Sequence, residues 1–172
     1  MFIMLVEIIQ QQHRDLKELF SRHQEMLLQA DFENATHRLE QFRICLKIHM
    51  QLEEQYLFPE FAEIEHKSKW DVTLYEKEHE KINQLYLDIA DSLQWLREQE
   101  FNKSDQQRNI IALLDKEKTF KGLNEHHEDR EEDALLKELD EQLGERELKE
   151  LKLDINLTWA EAKALVNEAQ TV

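Results

Sequence analysis

Histidine and glutamate recur together in this sequence at a spacing that suits metal binding. Two of the eight histidines are followed four residues later by glutamate, and these pairs are His49 with Glu53 and His127 with Glu131. Because residues four apart lie on one face of an α-helix, each pair could supply two ligands to one metal site. With 38 acidic residues in the chain, such pairs also arise by chance. The two pairs therefore need support from the positions of the other histidines.

Long helices must position these residues, because apolar residues recur at steps of three and four through most of the sequence. Only two glycines and one proline occur in 172 residues, and 35% of the residues are charged, which favours helices over strands. The pattern predicts four long helices and a short fifth, at about residues 2–30, 34–58, 70–98, 104–143 and 158–170. Asn34 and Ser104 are the expected caps of the second and fourth helices. Pro59 should end or kink the second, and Thr158 should open the fifth with a Thr-x-x-Glu capping box.

The length suits one domain with a substantial core. We predict an all-α fold in which residues 1–143 form an up-down-up-down four-helix bundle and residues 144–172 form a C-terminal helical extension. The extension could be a lid, a lengthening of the bundle, or a contact with a second copy of the chain or another protein.

Heights within such a bundle follow from the sequence, because an α-helix rises about 1.5 Å per residue. Counted from turns expected near residues 32, 67 and 102, paired positions on neighbouring helices differ in height by only about 3 Å. One histidine from each helix and the two glutamates therefore belong to one layer, made of His13, His49, Glu53, His79, His127 and Glu131.

The polar layer would be unfavourable without a cation. Each of its histidines falls on an apolar stripe, where an unpaired polar group is costly to bury, and two buried carboxylates repel each other. A single inward histidine is more often a hydrogen-bonded core residue, but four at one level with two glutamates favour a metal site. Three other histidines, His23, His37 and His66, lie outside the layer. His126 points about 100° away from His127, and so supports the site or faces solvent.

At residues 49–59 the sequence reads His-Met-Gln-Leu-Glu-Glu-Gln-Tyr-Leu-Phe-Pro. This stretch resembles the His-x-x-x-Glu-Glu-x-x-Leu-Phe-Pro pattern of the hemerythrin-like (HHE, cation-binding) domains. Residues 127–136 carry a weaker copy, His13 matches the first-helix histidine, and Glu78-His79 matches the third helix, so the resemblance covers about residues 9–140. It implies two iron ions joined by an oxo or hydroxo bridge. It also implies that Glu53 and Glu131 bridge these ions and that the four histidines are terminal ligands, although zinc or manganese could substitute for iron.

Tyr75 departs from the pattern of the oxygen-carrying hemerythrins, which have a histidine four residues before the one matched by His79. The resemblance then implies about two histidines per metal, and either an open coordination position or a phenol beside the metal. Alternatively, Tyr75 is a core aromatic on the apolar stripe from Val72 to Leu96. A ligating or redox-active tyrosine would favour peroxide, nitric oxide or oxygen sensing over reversible oxygen carriage.

We therefore expect a non-haem di-iron protein that binds or senses O2 or a related small oxidant such as peroxide or nitric oxide. Binding is favoured over turnover of a substrate, a peroxidase-, catalase- or nitric-oxide-related activity stays open, and no catalytic residue is assigned. A metal-free helical interaction module is the first alternative. Ferritin-like iron oxidation ranks lower, because its Glu-x-x-His pattern occurs only at Glu76–His79 and Glu63–His66, which lie at different heights.

The composition argues against two classes of partner. A formal net charge of −16 disfavours nucleic acid and anionic membrane surfaces, and the longest apolar run, near the N-terminus, is too short to span a bilayer. That run also lacks the features of a signal peptide, so a cytoplasmic location is expected. Cys45 is the only cysteine, which excludes an internal disulfide and a cysteine-rich zinc site.

Overall fold

The computed structural model describes residues 3–168, and nearly all of them are helical. The helical segments of this part of the chain are α1 Leu5–Leu28, α2 Phe32–Leu52, a first π-helical turn Glu53–Leu57, α3 Phe58–Glu63, α4 Val72–Glu98, α5 Lys103–Arg130, a second π-helical turn Glu131–Leu135, α6 Leu136–Gln142 and α7 Glu145–Glu168. Residues 3–168 contain no strand, which agrees with the predicted all-α class. No helix among them has the length and apolar character needed to cross a membrane.

Four of these helices, α1, α2, α4 and α5, correspond to the predicted long helices, with differences at their ends. The expected start of the first helix, Phe2, lies outside the described residues. The second helix does not stop at Pro59, because the chain passes through the first π-helical turn into α3, where Pro59 lies in the first turn. Pro59 has no amide hydrogen to donate, and it directly follows the wider π-helical turn, where the hydrogen-bond pattern of the helix changes.

The predicted caps were wrong by a few positions. Asp31 caps α2 by accepting a hydrogen bond from the backbone nitrogen of Asn34 at 3.1 Å. Asn102 caps α5 by accepting from the backbone nitrogen of Asp105 at 3.0 Å. An N-cap oxygen binds an amide two or three residues further along, so the capping residue must precede the first turn. Asn34 and Ser104 instead lie inside that turn.

The C-terminal helix is not the short element that the sequence predicted. α7 begins at Glu145 and has 24 residues, so Thr158 lies in its interior and opens no capping box. Gln170, the expected end of this helix, lies outside the described residues. The apolar face of α7 packs against α1 and α2 with an i, i+4, i+8 pattern that begins before Thr158, and its buried residues are Leu151, Ile155, Trp159, Ala162 and Val166.

Neighbouring helices α1 and α2 run in opposite directions. Gln12 of α1 contacts His49 of α2, while His23 of α1 contacts the backbone of Ala35 near the start of α2. On the other side, α4 packs against α5.

Two apolar clusters fill the interior, one towards each end of the helices. The first contains Phe20, Phe42 and Phe120, and the second contains Phe61 and Tyr75 with leucines of α1 and α6. The predicted polar layer separates them on α1, on α4, and on α5 with the π-helical turn that follows it. In α1, for example, His13 lies between Ile9 of the second cluster and Leu16 of the first. The site is therefore enclosed above and below by packed hydrocarbon.

Candidate metal centre

The six predicted side chains meet in the interior. Each of four helices contributes one histidine, and each π-helical turn contributes its first residue, Glu53 or Glu131. All six are 3% exposed or less. They form two groups in which the ligand atoms lie within 4.8 Å of one another, and the groups are His13, His49, Glu53 and Glu131, and Glu53, His79, His127 and Glu131. We call the first group position 1 and the second group position 2.

Each glutamate divides its two oxygens between the two positions. Glu53 places Oε1 2.8 Å from Nε2 of His49 and Oε2 3.1 Å from Nε2 of His79. Glu131 places Oε2 3.4 Å from Nε2 of His13 and Oε1 3.1 Å from Nε2 of His127. Two carboxylates that each face both positions have the arrangement of bridging ligands between neighbouring cations.

The other ring nitrogen of every histidine is held by an acceptor outside this centre. Nδ1 lies 2.8 Å from Glu132 in His13, 2.9 Å from Gln12 in His49, 2.8 Å from Glu54 in His79 and 2.9 Å from Glu78 in His127. A carboxylate oxygen only accepts, so the three rings facing glutamate must donate from Nδ1. Nε2 of each ring then faces the centre, and in the neutral ring its lone pair is directed there, as metal coordination requires.

Several polar atoms at the centre lack the partners that burial demands. Within residues 3–168, Nε2 of His13 and both carboxylate oxygens of Glu53 and Glu131 are buried without a hydrogen bond of acceptable geometry. Unsatisfied buried carboxylate oxygens are costly, because they have lost their hydration. Cations at positions 1 and 2 would provide partners for all of these atoms. The residues present therefore fit a pair of metal ions.

The pKa of each ionisable group at the centre depends strongly on the charges of its neighbours. Burial raises the pKa of Glu53, but the facing imidazoles of His49 and His79 outweigh burial and hold it well below its usual range. Burial alone would lower the pKa of His13 and His127, yet their contacts with carboxylates, Glu131 above all, raise both values to about 10. Without metal, protonated histidines therefore supply the positive charge that balances the two buried carboxylates.

The π-helical turns explain how neighbouring glutamates act on two sides of the centre. The backbone nitrogen of Phe58 donates to the carbonyl of Glu53, five residues back, and Leu136 donates to Glu131 in the same way. This wider turn reduces the angle between successive side chains. The first glutamate of each pair faces the centre, while the second, Glu54 or Glu132, binds a histidine of another helix. The sequence signal for this feature was the Glu-Glu pair that occurs in both turns. Sequence reasoning had assigned no role to the second glutamate of either pair.

Tyr75 is fully buried beside position 2. Its ring centre lies 6.0 Å from that of His127, and its hydroxyl donates to the backbone carbonyl of Arg130 at 3.3 Å. Burial raises the pKa of this phenol, so its hydroxyl stays protonated at neutral pH. The residue is thus a core aromatic next to the centre, with its hydroxyl engaged by the backbone.

Sequence reasoning missed the role of His23. This residue lies outside the layer, as expected, but it is fully buried, with Nδ1 2.8 Å from the carbonyl oxygen of Ala35 and Nε2 2.8 Å from Glu117. Its position three residues after Phe20, on the apolar stripe of α1, was the available signal. His37, His66 and His126 are exposed.

The glutamates of the ferritin-like alternative do not face the centre. Glu76 and Glu63, which precede His79 and His66 by three residues, are both exposed. The second ferritin-like pair is therefore at the surface, which removes the pattern on which that alternative depended.

A helical protein with a buried histidine and carboxylate cluster shared between two positions belongs to the class of cation-binding helical domains. Residues 4–139 match the family described as the hemerythrin HHE cation binding domain, and the chain belongs to this family. Comparison with curated proteins and with solved structures finds no match. α7 lies entirely beyond the matched residues.

Proposed function

We propose that this protein holds two iron ions at positions 1 and 2 and binds or senses O2 or a related small oxidant there. The observation that carries the proposal is the division of the oxygens of Glu53 and Glu131 between the two positions. In this proposal the two glutamates bridge, and His13, His49, His79 and His127 are terminal ligands. Imidazole combined with carboxylate suits iron, and zinc or manganese would also be accepted.

The helix order that supports this centre is the up-down-up-down arrangement of α1, α2, α4 and α5. The opposite directions of α1 and α2 favour it, because Gln12 meets His49 while His23 meets Ala35. Along α1, along α4, and along α5 with the π-helical turn that follows it, a ligand lies between residues of the two apolar clusters. The direction from the first cluster to the second is reversed between α4 and α5, which is consistent with the same order.

Incomplete coordination supports binding of a small ligand. Each position is offered two imidazoles and one oxygen from each of two carboxylates, which is fewer ligands than a six-coordinate iron accepts. Iron bound there would supply redox chemistry and vacant coordination positions. The protein contributes a dry enclosure, because the adjacent apolar side chains Leu16, Leu52, Ile82 and Phe120 are at most 2% exposed. Such surroundings admit a small apolar molecule and exclude water.

The buried carboxylates also set the charge of the centre. Glu53 and Glu131 bring two negative charges, which would offset part of the charge of two divalent ions. Three outer carboxylates, Glu54, Glu78 and Glu132, hold rings by Nδ1 and increase the basicity of the nitrogens that face the metal. Such a centre favours oxidised iron and therefore reaction with oxidants over binding of an anion.

The test is metal analysis of the purified full-length protein, combined with absorption spectra recorded with and without oxygen. We expect about two iron ions per chain and charge-transfer bands in the near ultraviolet and visible that change on exposure to oxygen. A His49→Ala/His127→Ala variant should lose metal and bands, while His37→Ala, at an exposed histidine of α2, should keep both. A wild-type protein that binds neither iron nor another transition metal would contradict the proposal and favour a metal-free interaction module.

A further inference from the structure

The two metal positions have different surroundings. Position 2 is bordered by residues within the family match, since the ring centre of Phe58 lies 5.3 Å from that of His79 and Tyr75 lies beside His127. Position 1 is bordered by α7, which the match does not cover. The ring of Trp159 lies 6.1 Å from that of His49, centre to centre, in an edge-to-face arrangement with an interplanar angle of 69°.

Trp159 is held in this place by polar contacts with α1. Its indole Nε1 donates to Oδ2 of Asp15 at 3.1 Å, and Lys163, one turn further along α7, contacts the same oxygen at 3.0 Å. The side chain is only 7% exposed. Asp15 follows the position 1 histidine His13 by two residues. The packing of α7 is therefore linked to position 1 in two ways. Asp15 links it through α1, and His49 links it through α2.

The groups that accept the Nδ1 hydrogens of the four histidines also differ between the two positions. His79 and His127 of position 2 both donate from Nδ1 to carboxylates, and so does His13 of position 1. His49 alone among the four is held by a neutral amide, that of Gln12. An amide makes an imidazole less basic than a carboxylate does, so His49 is the weaker metal ligand.

We propose that the two ions are not equivalent, and that α7, through Trp159 and Asp15, covers position 1 and controls how fast an ion is exchanged there. This inference rests on the proposed two-metal function and assigns a role to the segment outside the family match. Position 1 is the exchangeable position because His49 is the weaker ligand. Trp159 slows this exchange by packing against the ring of His49, whereas the rings that pack against the histidines of position 2, those of Phe58 and Tyr75, do not belong to α7.

The experiment follows release of Zn²⁺ from the full-length protein to an excess of EDTA. We expect two phases of similar amplitude in the wild type. Trp159→Ala should accelerate the faster phase about tenfold and leave the slower one unchanged. Asp15→Ala should accelerate the same phase to a smaller extent. If circular dichroism shows that Trp159→Ala does not fold, the result for Asp15→Ala tests the inference instead. Glu54→Gln, which weakens the outer contact of His79, should instead accelerate the slower phase.

The matched control is Leu157→Ala, because Leu157 lies on α7 two residues from Trp159 but is 56% exposed. This variant should leave both phases unchanged. A single phase in the wild type, equal acceleration of both phases by Trp159→Ala, or no effect of Trp159→Ala and Asp15→Ala would overturn the inference while leaving a two-metal protein. A wild type that binds neither Zn²⁺ nor iron would instead overturn the proposed function, so the two failures are distinguishable.

Discussion

The Nε2 atoms of His79 and His127 face each other at 3.1 Å. Each of these rings donates its Nδ1 hydrogen to a carboxylate, that of Glu54 in one case and Glu78 in the other. Neutral rings would therefore direct two lone pairs at each other, which is repulsive. A proton on one ring or a metal ion between the rings removes this repulsion. The metal-free and metal-loaded proteins must consequently respond to pH in different ways.

For the metal-free protein, we expect stability to fall as the pH rises from neutral to about pH 10. His13 and His127 have pKa values raised from 6.5 to about 10 in the folded state, although burial alone acts in the opposite direction. A raised pKa stabilises the fold fully below the unfolded value of 6.5, and this contribution is lost as the pH passes through the folded value. Urea unfolding in the presence of EDTA measures the effect. A free energy of unfolding that stays constant or rises over this range would contradict it.

Removal of metal should lower the melting temperature at neutral pH. A ligand that binds only the folded state stabilises it by about 4 kcal/mol at a free concentration a thousand times its dissociation constant. Differential scanning calorimetry before and after dialysis against a chelator measures the change, and re-addition of Zn²⁺ should restore the original temperature. Equal melting temperatures in the two states would show that the buried centre is not a metal site.

Replacement of Glu78 by glutamine should weaken metal binding without removing a ligand. The carboxylate of Glu78 accepts from Nδ1 of His127 and is also paired with Arg130. Loss of such an outer partner costs about 10- to 100-fold in metal affinity. Competition for Zn²⁺ with a chromophoric chelator measures the affinity. Glu76→Gln is the control, because Glu76 lies on α4 as well but is exposed, and an equal effect of both substitutions would exclude the assigned role.

Glu117→Leu should destabilise the protein by about 1–3 kcal/mol, because it leaves Nε2 of His23 buried without a hydrogen-bond partner. The double variant His23→Leu/Glu117→Leu should recover much of this loss, since two apolar side chains can replace a buried hydrogen-bonded pair. Both should still bind metal, because neither residue belongs to positions 1 and 2. Chemical denaturation gives the stabilities. A single variant as stable as the wild type would show that the pair is not needed for folding.

Tyr75→Phe should lower stability by about 1 kcal/mol through loss of its hydrogen bond to Arg130, and should leave the visible spectrum of the iron-loaded protein unchanged. The reason is that the hydroxyl is engaged by the backbone and stays protonated. Loss or displacement of a charge-transfer band in the variant would instead identify Tyr75 as a ligand. The oxygen reactivity of the variant distinguishes a redox role from a packing role.

Much of the helical layout could be predicted from local sequence, and errors occurred where local signals competed. The apolar period placed the starts of α1, α2, α4 and α5 correctly to within a few residues. The Thr-x-x-Glu pattern at Thr158 was misleading, because the apolar stripe of α7 already begins at Leu151. A capping signal inside a continuous amphipathic stretch is overridden by the burial of the apolar face.

By itself, the sequence determined which residues could meet. His49 with Glu53 and His127 with Glu131 are pairs set by the geometry of one helix, and the height count placed His13 and His79 in the same layer. Only the tertiary structure decided how each ring is held and what surrounds it. The contacts of Glu78 with His127, Gln12 with His49 and Trp159 with His49 join different helices. Their existence depends on the rotation of each helix about its axis and on the π-helical turns, and a count of residues along the chain determines neither.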